Sequence, residues 1–225
     1  VDTVTARVPL PAILKSSGVV AVLRADHAGG YRPVIEALRA GGITSIELTL
    51  TTPGTFDVLA ELAAEFADVE FGVGTVTDLE SCRLATEAGA AYVVTPVTDH
   101  DLATMCARSG LPCLMGAFTP TEAYRAWTSG VSAVKLFPAS TAGAGHLAQL
   151  RGPFPDMAVV PSGGVELKAV RDWLRAGAVA VSVGGPLVQD AFRGGDLGAL
   201  TERARTLRRS VDDARADMMI AESIN

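Results

Sequence analysis

Short apolar runs alternate with amphipathic stretches along the whole chain. The runs lie near 19–24, 45–50, 70–74, 92–95, 112–115, 132–136, 157–161 and 179–183. Val19-Val20-Ala21-Val22-Leu23 and Val179-Ala180-Val181-Ser182-Val183 are typical: β-branched residues at successive positions, with no polar face. Strands of that kind are buried on both sides, as in a parallel sheet covered by helices. Helix-like stretches separate them, for example 56–66 and a shorter piece around 146–150. Several close on a small residue and a glycine: Ala40-Gly41, Ala88-Gly89, Ser109-Gly110, Ser129-Gly130 and Ala176-Gly177. A glycine there suits the left-handed residue that caps a helix C-terminus. Gly89, Gly110 and Gly130 lie 20 to 21 residues apart, and the gaps from Gly41 to Gly89 and from Gly130 to Gly177 are about twice that, each holding one further unit.

Eight strand–helix units in 225 residues predict the α/β class and a (β/α)8 TIM barrel at the compact end of its range. An open doubly wound sheet should carry a glycine-rich dinucleotide fingerprint after an early strand, and the chain has none. The expected organisation is one barrel domain over 1–225. Residues 1–18 form a helix that caps the barrel bottom. Residues 196–219 form a long amphipathic helix that exposes Glu202, Arg203, Arg205, Arg208 and Arg209.

Composition narrows the partners. The net charge of −6 provides no basic field for nucleic acid or anionic membranes. No apolar run reaches the roughly 18 residues of a membrane span. The N-terminus lacks the charged and apolar regions of a signal peptide. Cys82, Cys106 and Cys113 are an odd number without metal-ligand spacing, so reduced thiols and a cytoplasmic location are expected. His27, His100 and His146 form no motif, and neither a metal nor a cofactor is expected.

Active sites of such barrels lie at the C-terminal ends of the strands. The predicted ends bring together Arg24; Glu47 with Thr49 and Thr51; Gly74-Thr75; Thr95-Pro96; Gly116 to Thr119; Lys135 with Phe137; Ser162-Gly163-Gly164; and Gly184-Gly185-Pro186. Lys135 sits between Val134 and Leu136. Burying an ammonium group is costly, and a lysine that sheds its proton attacks carbonyls. The alternative is a strand-end lysine whose stem packs while its head reaches water. Glu47 could move protons at the same mouth, or simply pair with Lys135 or Arg24. Arg24 could grip a carboxylate with two hydrogen bonds, or pair with Glu47. Thr75 and Thr95 could hold hydroxyls, although threonine at a strand end often reflects β-propensity alone. Cys113 reads as packing, and Trp127 and Trp173 as core or interface. The paired glycines after the seventh and eighth strands stand where barrels often bind phosphate through backbone N–H groups.

As a set these motifs resemble the 2-keto-3-deoxy-6-phosphogluconate aldolase family, which includes 4-hydroxy-2-oxoglutarate and 2-keto-3-deoxy-6-phosphogalactonate aldolases. The resemblance covers about residues 10 to 210. It is carried by Glu47-Leu48-Thr49-Leu50, Gly72-Val73-Gly74-Thr75-Val76, Thr95-Pro96, Val134-Lys135-Leu136-Phe137-Pro138-Ala139, Ser162-Gly163-Gly164-Val165 and Gly184-Gly185. It implies a class I aldolase that cleaves a 2-keto-3-deoxy acid to pyruvate and an aldehyde, without metal, as a homotrimer. Lys135 would be the Schiff-base lysine, Glu47 the general acid/base, and Phe137 a neighbour of the imine.

Two positions depart from the family pattern. Thr51 stands where the phosphogluconate members place a carboxylate-binding arginine. Ala21-Val22-Leu23-Arg24 is similar to the phosphogalactonate branch, so that role passes to Arg24. Pro186 stands where phosphate-binding members carry serine, and removes both a hydroxyl and an N–H donor. A non-phosphorylated 4-hydroxy-2-oxo acid therefore competes as substrate, and phosphorylated substrates should gain little. Two other functions fit the barrel: a phosphate-binding isomerase or synthase without a Schiff base, and a non-catalytic barrel. The aldehyde, the stereochemistry and the pathway are open from sequence.

Overall fold

The computed structural model describes residues 7–224. Its strands are β1 (Val19–Leu23), β2 (Ser45–Thr49), β3 (Glu70–Gly74), β4 (Tyr92–Val94), β5 (Cys113–Ala117), β6 (Ala133–Leu136), β7 (Val159–Pro161) and β8 (Val181–Val183). They form one parallel sheet in the order β7-β6-β5-β4-β3-β2-β1-β8. Its two ends meet: Ser162 and Ser182 form a parallel bridge, their hydroxyls are 3.2 Å apart, and the Val179 N–H donates to the Val159 carbonyl. The chain is a (β/α)8 barrel.

The helices are α1 (Ala12–Ser17), α2 (Tyr31–Ala40), α3 (Thr55–Glu65), α4 (Leu79–Glu87), α5 (His100–Ser109), α6 (Pro120–Thr128), α7 (Ala139–Leu150), α8 (Val170–Arg175), α9 (Gly185–Val188) and α10 (Leu197–Ile224). Local chemistry starts several of them. Asp78 and Asp99 cap α4 and α5 by accepting from the Ser81 and Leu102 N–H groups. Thr119 and Glu122 form a reciprocal capping box on α6.

The apolar surface divides in two, as a barrel requires. Between sheet and helices lies the larger core, which includes Leu23, Ile35, Leu38, Ile46, Leu48 and Trp173. Inside the barrel a smaller core joins Val20, Tyr92, Val94, Leu114, Ala133, Val160 and Ala180. Leu14 of α1 is fully buried in that inner core and closes the barrel bottom. The Glu70 carboxylate at the start of β3 fixes α1 by accepting from the Ile13 and Leu14 N–H groups, each at 2.9 Å.

Several boundaries differ from the sequence expectation. α1 occupies part of the expected 1–18 helix, of which residues 1–6 lie outside the described residues. β4 ends at Val94, β7 begins at Val159 and β8 at Val181, within a residue or two of the expected runs. α7 starts directly after Pro138, seven residues earlier than the expected piece near His146, and kinks at Gly143. At the first glycine pair it is Gly42 that is left-handed; Gly41 lies against α10, where a Cβ would stand 2.4 Å from that of Ala204. α10 buries Leu200, Ala204, Leu207, Val211 and Ala214. Two of its arginines are not on an exposed face: Arg203 donates to the Leu187 carbonyl and Arg208 to that of Ser17. Their long stems pack while their heads satisfy carbonyls in the last turns of α9 and α1. No helix among the described residues is long and apolar enough to cross a membrane.

Candidate active site

At the C-terminal ends of the strands a cavity of about 430 Å³ opens. Lys135 and Glu47 lie at its floor. Period-two alternation sends Ala133 and Lys135 of β6 inward, and likewise Ser45 and Glu47 of β2. In the sheet each has a glycine as its neighbour. Glu47 lies beside Gly72 of β3, and Lys135 beside Gly116 of β5. A Cβ on Gly74 would stand 1.9 Å from Glu47 Oε1, and one on Gly116 would stand 2.2 Å from the Pro96 backbone. These glycines are hollows for the site, not turns.

Lys135 is 7 % exposed and Glu47 2 %. Lys135 therefore meets solvent only through the cavity that it lines, not at the outer surface that the snorkelling alternative requires. Lys135 Nζ and Glu47 Oε1 are 3.9 Å apart. That is beyond a direct hydrogen bond, yet within reach of an atom bonded to the nitrogen. Nζ also lies 5.2 Å from the centre of the Phe137 ring. The ring is held against the next loop, where a Cβ on Gly163 would meet it at 2.7 Å.

Around the walls stand most of the other expected residues. Arg24, Thr75 and Pro96 line one part of the cavity; Ser162, Gly163, Gly164, Gly184 and Gly185 line the rest. Thr75 holds φ at +64°, unusual for a β-branched residue and a mark of a constrained turn. Arg24 follows β1 directly, and among the described residues its guanidinium has no ion-pair partner, so the expected alternative of a bridge to Glu47 is absent. Thr95 is not brought to the cavity. Its hydroxyl donates to the Val97 carbonyl and accepts from the Gly116 N–H, fixing the loop that positions Pro96.

Thr51 sits in a threonine network. The Thr51 hydroxyl donates to Thr49 Oγ1, that of Thr49 to the Leu23 carbonyl, and the Ala25 N–H donates to Thr52 Oγ1. These bonds tie the β2 loop to the backbone on both sides of Arg24.

The thiols take no part in the cavity. Cys82, Cys106 and Cys113 are buried, and Cys82 and Cys106 Sγ are 3.5 Å apart. Hydrogen bonding to Cys106, with burial, pushes the Cys82 thiol up; hydrogen bonding to Cys113 does the same for Cys106. Thiols held protonated are poor nucleophiles. Sequence reasoning did not single out Asp26, Gln189, Phe192 or Arg193, which also line the cavity. The last three lie four to eight residues past the Gly184-Gly185 pair, and only the fold of that loop returns them to the mouth.

Known proteins resemble this chain over most of its length. The family model described as "Aldolase: KDPG and KHG aldolase" matches residues 10–202. A 2-dehydro-3-deoxy-phosphogluconate aldolase of Pseudomonas aeruginosa is 34% identical over 163 residues, covering 72% of this chain and 74% of that protein. A KHG/KDPG aldolase of Escherichia coli is 31% identical over 189 residues, covering 83% and 87%. Among solved structures, a KDPG aldolase from Legionella pneumophila, with pyruvate captured as a covalent carbinolamine intermediate, superposes with a TM-score of 0.81 at 28% identity, covering 88% of this chain and 97% of that one. The chain belongs to the KDPG and KHG aldolase family.

Proposed function

We propose that this protein is a class I aldolase that cleaves a 2-keto-3-deoxy (phospho)sugar acid or a 4-hydroxy-2-oxo acid reversibly to pyruvate and an aldehyde. The observation that carries this reading is the buried Lys135 amine 3.9 Å from the buried Glu47 carboxylate at the floor of one open cavity. Lys135 Nζ adds to the C2 carbonyl, and loss of water leaves an iminium. Glu47 takes the proton of the C4 hydroxyl. The C3–C4 bond breaks, its electrons pass to the iminium as an enamine, and the aldehyde leaves. Glu47 returns the proton to C3, and water releases pyruvate and the free amine. Arg24 holds the C1 carboxylate through its fork of donors. Thr75, Pro96 and Phe137 shape the space around C2 and C3, and Ser162 with Gly163, Gly164, Gly184 and Gly185 forms the wall facing the aldehyde half. Thr95 acts one step away, through Pro96.

The test is release of pyruvate from a panel of phosphogluconate-type, phosphogalactonate-type and non-phosphorylated hydroxy-oxo acids. Turnover of at least one is expected, and inertness toward all contradicts the reading. The protein works as a homotrimer in the cytoplasm. Self-association is supported by Val97 and Phe118, exposed at 51% and 36% around a second cavity beside the site. The location is supported by three cysteines present as thiols.

A further inference from the structure

Three cations and two acids line the catalytic cavity: Arg24, Lys135 and Arg193 against Asp26 and Glu47. Glu47 faces Lys135. Asp26 pairs with neither arginine, and among the described residues Arg24 and Arg193 carry no ion pair. The C1 carboxylate of a 2-oxo acid answers Arg24. Arg193 is left, a planar fork of donors suited to a second anion.

The loop that carries Arg193 is anchored. After α9 the chain turns sharply at Gln189, with φ +50° and ψ −115°. A short 3-10 turn, Ala191–Arg193, follows, closed by the Arg193 N–H donating to the Asp190 carbonyl at 2.7 Å. Ala191 is buried, and the Phe192 ring packs edge-on against the fully buried Tyr31 at 6.0 Å. Arg193 is thus presented to the mouth from a fixed turn. Upstream, at the start of α9, Pro186 has neither the hydroxyl nor the N–H that would serve an anion there.

We propose that Arg193 is the residue that receives the terminal anionic group on the aldehyde half of the substrate. This rests on the Schiff-base reading above. It assigns the far group to a side-chain charge and not to the glycine turns alone.

The experiment compares retro-aldol kcat/KM for three 4-hydroxy-2-oxo acids, ending in a carboxylate, a phosphate ester or a neutral hydroxymethyl group. They are run on the full chain and on its R193Q and R193K variants. The unaltered protein should prefer the anion-ended acids. R193Q should lower kcat/KM for them by about 10- to 100-fold, and leave the neutral one within about two-fold. R193K should recover part of the loss. The anion whose rate falls further identifies the natural terminus. An anion preference that survives R193Q overturns the proposal, as does a neutral acid that serves the unaltered protein equally well. A pyruvate adduct trapped by borohydride should form at Lys135 in all three proteins. Its loss in R193Q alone would make Arg193 a structural residue and overturn the proposal. Its absence from the unaltered protein would be a failure of the Schiff-base reading.

Discussion

Gly74 shows how closely one residue is fitted to the chemistry beside it. Its backbone is ordinary strand, so it is not glycine for conformational reasons. It is glycine because Glu47 Oε1 occupies the place of its Cβ, which would lie 1.9 Å away. A Gly74→Ala change must displace the carboxylate or the strand. Overpacking of this kind costs about 1–3 kcal/mol, and Glu47 would lose its station opposite Lys135. Pyruvate release should fall at least about tenfold in kcat, with a lower urea midpoint; unchanged kcat would contradict the role given to Glu47. At this scale the sequence marked Glu47, Thr75 and Lys135, and all three line one cavity. The reason for Gly74 was hidden, because a glycine next to a glutamate 27 residues away carries no local signal. Thr95 was placed in the wall because it ends an apolar run, whereas its hydroxyl is consumed by Val97 and Gly116.

At the scale of elements the two ends of the barrel do different work. Glu70 opens β3 and Gly74 closes it, so about 13 Å of strand separates the α1 anchor from the catalytic mouth. Residues at the bottom face of such barrels serve stability. Glu70→Ala frees the Ile13 and Leu14 N–H groups and loosens the Leu14 plug. It should cost about 1–3 kcal/mol in urea denaturation and leave kcat and KM unchanged. A kinetic defect without lost stability would contradict this division. Apolar runs and capping residues made the strands and most helices legible. α7 was legible only in its last turns, since Ala139 to Gly145 is a run of small residues with no amphipathic stripe. The inward reach of Arg203 and Arg208 was not legible, because their carbonyl partners lie in other elements.

For the whole molecule, eight strands close into a barrel that gathers Arg24, Glu47, Thr75, Lys135 and the two glycine pairs from six separate strand ends. Counting units gave that gathering from sequence. The loop after β8 was the exception, since its return to the cavity depends on Phe192 meeting Tyr31. The exposed Val97 and Phe118 predict self-association. Sedimentation equilibrium should give a mass three times that of the chain, and Val97→Asp should shift it toward one; a monomer in the unaltered protein would contradict the trimer. The central claim is a covalent one, that the Lys135 amine forms an imine with pyruvate. Its most direct measurement is mass spectrometry of the intact chain after treatment with pyruvate and borohydride. The account predicts one reduced pyruvate adduct, mapped to Lys135 and lost in Lys135→Ala. No adduct, or one that persists in that variant, would contradict it.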